Sequence, residues 1–246
     1  MLSQNTDPIV LTEQQLYDYM NCPLLYYLKY RSKINIPEHI TMHRHIITVM
    51  KYFLNRLHEG TISTLKELQR KWDGICKNEK NGIDRKHNIA GWEKIVKFAQ
   101  WAQKNQIAVG DVNVPYSINV QNVTLKGNIE QILVNPNTRK IELFFPNFTD
   151  KEFTQYSLDT NLKYTIDAYA FRQLFKDSVN GIHIYSAKLD KDYYTYRNDK
   201  DFAKLKTTIY NIGNSIQNNY FYGRESVLCE SCPGKAYCKY WSMPIV

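Results

Sequence analysis

Four cysteines concentrate the chemistry this chain can do: Cys22 beside Pro23 near the start, and Cys229, Cys232 and Cys238 near the end, spaced C-x2-C-x5-C. Four thiolates match the needs of a [4Fe–4S] cluster, one for each iron. The spread would make such a cluster a staple. Closing a loop of roughly 200 residues removes ~4–5 kcal/mol of unfolded-state entropy, against the ~5–15 kcal/mol by which domains are stable. Two other readings stay open. Structural zinc favours two C-x2–4-C knuckles, and only the C-terminal pair has that form. Disulfides belong to oxidising compartments, whereas five cysteines, no expected signal peptide and a non-secretory composition point to a reducing one, the cytoplasm. The fifth, Cys76, falls in the helical phrase Leu65, Leu68, Trp72, Cys76 and reads as a small buried hydrophobe.

Positioning those thiols takes a folded frame, and the composition supplies one. With 246 residues, 43% of them hydrophobic, the chain can bury a full core. It is expected to form one domain over 1–246: a helical front at 1–108 with Cys22, a sheet core at 109–220 and a cysteine-rich tail at 221–246. No apolar run reaches the ~20 residues that cross a bilayer, so no membrane partner is expected. A net charge of +8 favours a polyanionic partner. The 19 tyrosines include two runs interleaved with cations, Tyr26, Tyr27, Lys29, Tyr30 and Tyr193, Tyr194, Tyr196, Arg197. Such runs stack bases and pair phosphates, or they simply pack at a half-exposed surface.

The frame can be read element by element. Thr12 and Gln15 form a capping box for a first helix running to about Met20, with Leu11 placed to staple onto Leu16. Pro23 suits the first position of a second helix, which puts Cys22 at the positive end of its dipole. A third helix from Ile40 places His43, Ile47, Met50, Leu54 and Leu57 on one face and ends near Gly60. Two more span Ser63 to about Lys77 and Gly91 to about Lys104, with the polar stretch Asn78 to Asn88 as an exposed loop. After Gly110 the period changes to two. Strands around Val114–Val120, Val123–Val134 and Ile141–Phe145, the last two joined by a turn at Asn135–Thr138, form an antiparallel meander. A long helix at about Asp159–Phe175, two short strands near Ile182–Tyr185 and Tyr193–Tyr196, and a helix at about Asp201–Asn218 complete the order. The fold class expected is α/β (α+β), with a central mixed sheet flanked by helices. There is no internal repeat.

Together, the cysteine pattern, Leu11-Thr12 through Cys22-Pro23 and Tyr26-Tyr27-Leu28, the Gly127-Asn128-Ile129-Glu130 strand, the Asp167-Ala168-Tyr169-Ala170 helix and the Phe221-Tyr222 tail resemble the iron–sulfur branch of the PD-(D/E)XK nuclease superfamily. This is the RecB-like domain of AddB-type helicase–nucleases and CRISPR-adaptation exonucleases. The resemblance covers nearly the whole chain and implies a mixed sheet flanked by helices, with a [4Fe–4S] cluster on Cys22, Cys229, Cys232 and Cys238 tying the tail to the N-terminal helices. It also implies a catalytic centre in which carboxylates and a histidine hold Mg or Mn and a lysine steadies the developing charge.

Residue by residue, the carry-over is incomplete. The family's early histidine matches His43 or His45, and His43 keeps the better phase with the apolar face, where a buried structural histidine is the competing account. Glu130 stands where the family usually has aspartate. The D/E-x-K pair has no counterpart: the third strand runs Ile141-Glu142-Leu143-Phe144-Phe145-Pro146-Asn147, and neither Phe144 with Pro146 nor Phe145 with Asn147 supplies it. Glu142 is the strand's only carboxylate. Thr165 occupies the position of a frequent glutamine, while Tyr169 remains. Each missing electrostatic group costs ~10²–10³ in rate.

The resemblance therefore implies a catalytically degenerate domain that binds DNA or serves as a scaffold in replication, recombination or repair, alongside protein subunits of a helicase–nuclease or recombination complex. Two alternatives stand beside it. One is an active metal-dependent exonuclease with a rearranged site built from His43, Glu130, Glu142 and a lysine recruited from Lys140, Lys151 or Lys163. The other is a protein-interaction module without nucleic-acid binding.

Overall fold

The computed structural model describes residues 8–36, 42–78, 83–134, 139–150 and 152–238. In chain order the elements are β1 (Ile9–Thr12), α1 (Glu13–Asn21), α2 (Pro23–Tyr30), α3 (Met42–His58), α4 (Leu65–Cys76), α5 (Arg85–Lys104), β2 (Val109–Val120), β3 (Val123–Val134), β4 (Ile141–Asn147), α6 (Gln155–Asp159), α7 (Leu162–Phe175), β5 (Gly181–Ser186), β6 (Lys191–Thr195) and α8 (Asp199–Gln217). The six strands form one mixed sheet ordered β1-β3-β4-β5-β6, with β2 also paired to β3. β1 runs parallel to β3, β3 antiparallel to β4, β4 parallel to β5, and β5 antiparallel to β6. The expected mixed sheet flanked by helices is what forms. Among the described residues no helix is long and apolar enough to cross a membrane.

The chain gathers into two compact units. The first takes Met1–His39, Tyr116–Gly127 and Lys200–Val246. Here the capping box of Thr12 and Gln15 starts α1 as the sequence indicates, and Pro23 opens α2. Cys22 ends one helix and begins the next in extended geometry. The tail folds back on these helices through Leu24 N–H to Tyr222 O at 2.9 Å and the Tyr19 hydroxyl to Tyr220 O at 2.7 Å. The Phe221 ring sits among Tyr19, Tyr26 and Tyr27 with centroids 6.5, 6.0 and 5.3 Å away. Gly127 is required on β3, because a Cβ there would come within 2.3 Å of the Tyr116 hydroxyl.

The second unit takes Ile40–Pro115 and Asn128–Asp199. Its core joins α3, α4 and α5 to the strands through Ile46, Met50, Phe53, Leu68, Trp72, Phe98, Trp101, Phe144 and Tyr185. Trp101 stacks on Phe144 and Tyr185 at 5.4 and 4.2 Å. β4, α7 and β5 make a parallel crossover, the usual reason a helix separates two parallel neighbours.

Several elements differ from the sequence reading. β1 was absent from it: four residues are too few for a period, and only pairing with β3 makes them a strand. α5 begins six residues before Gly91, since Asp84 accepts from His87 N–H and caps the extra turns, shortening the loop expected at Asn78–Asn88. The helix expected from Asp159 is two helices, because Asn161 caps α7 by accepting from Tyr164 N–H. On α3 the fully buried face is Ile46, Val49, Met50, Phe53 and Leu54 with His45, so the apolar stripe lies beside the one drawn through His43, which is half-buried. Ile40, the Asn135–Thr138 turn and Lys151 lie outside the described residues.

Candidate functional sites

In the first unit all four predicted cysteines line one cavity of about 280 Å³, walled by Leu24, Leu25 and Leu28. Cys22 is presented at the α1–α2 corner. Cys229 closes a 3₁₀ turn at Val227–Cys229, and Cys238 follows another at Lys235–Tyr237. Arg224 connects the two sides: its N–H donates to Cys22 Sγ at 3.5 Å, the Cys229 thiol donates to its carbonyl at 3.8 Å, and its guanidinium reaches Met20 O at 2.9 Å. None of the five cysteines is joined in a disulfide. Burial pushes the Cys232 thiol up, and Cys22, Cys229 and Cys238 push it further while the Gly234 backbone opposes them. Four cysteine side chains around one cavity are a donor set whose thiolates a cationic iron–sulfur core would neutralise. Among the described residues no three His, Cys, Asp or Glu side chains are gathered as a single metal ion would require. The fit therefore rests on four donors around one space.

The second unit holds two further cavities, and they separate Glu130 from Glu142. Glu142 pairs across the ladder with Leu133. Glu130 is three residues from Leu133, and an odd offset places it on the opposite face. Phe145 lines the same cavity as Glu130, beyond the Ile132–Leu143 pair with which the β3–β4 ladder ends.

Glu130 lines a cavity of about 210 Å³ with Ile47, Met50, Lys51, Leu54, Gln131, Phe145, Pro146 and Lys163. Lys51 Nζ lies 3.5 Å from Glu130. Lys163 Nζ lies 2.9 Å from Asp167, which is fully buried, and donates to Asn128 O at 3.3 Å. Of the recruited-lysine candidates among the described residues, Lys163 lines this cavity, while Lys140 is exposed just before β4. His43 lies near enough to feel Glu130, yet burial and then the Lys94 ammonium hold its imidazole below the usual histidine value, with Glu130 opposing. Lys94 itself is buried against Phe148 O at 2.7 Å and Asp150 at 2.8 Å. His45 is buried, and its Nε2 has no hydrogen-bond partner among the described residues.

Glu142 belongs to another cavity of about 210 Å³, with Trp101, His183, Asp192 and Tyr194. His183 Nε2 bonds Asp192 at 2.7 Å, its Nδ1 stands 3.7 Å from Glu142, and Tyr194 stacks on the ring at 4.5 Å. Burial, then Asp192 and Glu142, push the Tyr194 phenol up to about 12.

Sequence reasoning did not single out Lys51, Gln131 or the His183–Asp192 pair. Gln131 did carry a signal, as a polar residue in the run Ile129–Val134 that leaves no solvent face for it. Lys51 carried none, being one surface lysine among many.

The fold that carries these features has a similar solved structure. Over its whole length the chain overlays 94% of a structure described as a "Putative exonuclease" from Eubacterium rectale, with a TM-score of 0.59 and 10% identity. The structure of SSO0001 overlays 95% of this chain and 87% of its own at a TM-score of 0.41 and 12% identity. No family model matches the sequence, and no curated protein matches it.

Proposed function

We propose that this chain is a RecB-like PD-(D/E)XK domain of the iron–sulfur branch that binds DNA without cutting it, as a binding or scaffolding component of replication, recombination or repair. Cys22, Cys229, Cys232 and Cys238 would hold a [4Fe–4S] cluster whose chemistry here is structural, tying tail to N-terminal helices. The observation that carries the non-cutting reading is the state of the Glu130 cavity. Its carboxylate lies beside Lys51, the Lys163 that lines the same cavity is paired to the buried Asp167, and Phe145 and Pro146 of β4 line it with no acid or lysine between them. A divalent ion would have to displace two ammonium groups to bind there.

One observation favours a second reading, an active Mg- or Mn-dependent exonuclease: Lys163 does reach the Glu130 cavity from α7. Two measurements test the proposal. Anaerobically purified protein should contain about four irons and four acid-labile sulfides per chain, lost in Cys22→Ser; a colourless zinc protein would remove the cluster. Single- and double-stranded DNA should survive incubation with Mg or Mn, and cleavage abolished by Glu130→Ala would establish the enzyme instead.

A further inference from the structure

The cavity of Glu142 holds acids that no neighbouring cation offsets. Two carboxylates, Glu142 and Asp192, line it together with His183, and no lysine or arginine among the described residues does, in a chain whose net charge is +8. The two acids are in different states. Asp192 is committed, one oxygen to His183 Nε2 at 2.7 Å and the other to the Trp101 indole N–H at 3.3 Å. Glu142, with 27% of its side chain exposed, accepts no hydrogen bond among the described residues, and His183 Nδ1 stands 3.7 Å from it, beyond hydrogen-bond reach. Asp192 also sets how His183 presents itself: the ring nitrogen that faces a carboxylate carries the proton, which leaves a lone pair on the other. His183 is 7% exposed, and that other nitrogen, Nδ1, faces Glu142 with no hydrogen bond of its own. Two acceptors 3.7 Å apart, one of them anionic and neither met by a donor, call for a ligand that donates twice and carries positive charge. The other walls describe the rest of it. Ile107, Ala108 and Leu133 are apolar, and Tyr194 covers the imidazole, ring on ring at 4.5 Å and 17°. At about 210 Å³ the space exceeds what a bare ion fills, and no three His, Cys, Asp or Glu side chains among the described residues are gathered to hold one.

We infer that this cavity binds an organic cation, a primary ammonium or guanidinium group on a short aliphatic stem, its N–H groups donating to the Glu142 carboxylate and to His183 Nδ1 while the stem lies against Ile107 and Leu133. A few convergent polar groups on apolar walls are the usual makings of a small-ligand pocket. Every residue involved belongs to the second unit. The site depends on neither the cluster nor DNA binding, so it stands or falls apart from the function proposed above. Its ligand is either a free alkyl amine or guanidine, or the same group at the tip of a lysine or arginine side chain.

Calorimetric titration of the full chain at low ionic strength compares n-butylguanidinium, n-butylammonium and the uncharged n-butylurea. At least one of the two cations should bind with a dissociation constant of about 1 mM or tighter. The urea should bind at least about tenfold more weakly, since it lacks the charge. Glu142→Gln keeps the shape and removes the charge, and should weaken the cation about tenfold. His183→Gln keeps a donor for Asp192 and loses Nδ1, and should weaken it about fivefold. Nitrogen NMR of the imidazole, assigned by the loss of its signal in His183→Gln, should show Nδ1 without a proton and shifting as the cation is added. The peptide acetyl-Gly-Arg-Gly-amide tells the two sources apart: affinity equal to that of n-butylguanidinium supports the site as a seat for a protein side chain, and affinity at least about tenfold lower supports it as a small-molecule pocket. Equal binding of the urea and the cations would overturn the inference. So would zinc or manganese shifting the His183 signal while neither cation binds, which would make this a metal site. A wild-type ring protonated on both nitrogens and indifferent to both cations would also overturn it, because the imidazolium would then itself be the cation between the two acids. The wild-type readings decide the matter even where a variant fails to fold.

Discussion

Phe221→Ala should loosen the tail from the N-terminal helices even before any cluster is considered. The ring is packed among three tyrosines, stacked on Tyr26 at an interplanar angle of 15° and meeting Tyr19 edge-on at 73°. Removing a half-buried phenyl group forfeits its transfer energy and leaves a gap, about 2–4 kcal/mol, with the aromatic contacts included. The Tyr19 hydroxyl bond to Tyr220 O is a separate contribution, so Tyr19→Phe should cost only ~1 kcal/mol. At 2–4 °C per kcal/mol for a chain of this size, Phe221→Ala lowers the melting temperature by roughly 4–16 °C. The assay is thermal unfolding of wild type and both variants, run with and without a strong iron chelator, alongside limited proteolysis. Cleavage should begin after residue 218 in the variant. A shift below 1 °C in chelated protein would refute the reasoning, because the metal alone would then be holding the tail.

Further perturbations test other parts of the structure. Gly91→Ala places a Cβ 2.4 Å from the Trp72 ring, so it should cost about 1–3 kcal/mol in urea unfolding, and an unchanged midpoint would contradict the close helix approach. His43, held below its usual value mainly by burial, is neutral in the fold and protonated more readily when unfolded. Its contribution is therefore complete above about pH 6.5 and lost as pH falls toward its folded value, with a slope of at most about 1.4 kcal/mol per pH unit. Urea midpoints from pH 5 to 7.5 should lose that slope in His43→Gln. Asp192→Ala leaves the His183 and Trp101 ring nitrogens without their acceptor and should cost ~1–3 kcal/mol with a change in tryptophan emission; identical spectra and midpoints would show the pair to be idle.

Local signals carried much of the fold. The Thr12–Gln15 capping box, Pro23 at the start of α2 and the period-two runs after Gly110 each act within a few residues, so α1, α2 and the meander strands were readable where they stand. The break at Asn161 and the early start of α5 rest on single capping side chains inside polar stretches, where many residues could serve equally well. The face of α3 was misjudged by one stripe because both stripes contain apolar residues, and the choice falls to the elements packed against it.

Residue identity alone settles that four thiols lie toward the two ends of the chain and that β4 lacks an acid and a lysine two apart. In the folded chain alone do the four thiols share one cavity, Glu130 and Glu142 line separate cavities, and Lys51 and Lys163 come to the cavity of Glu130. Those facts depend on strand register and on helices whose lysines lie 33 and 79 residues from Glu130 in sequence, and no local propensity encodes such pairings.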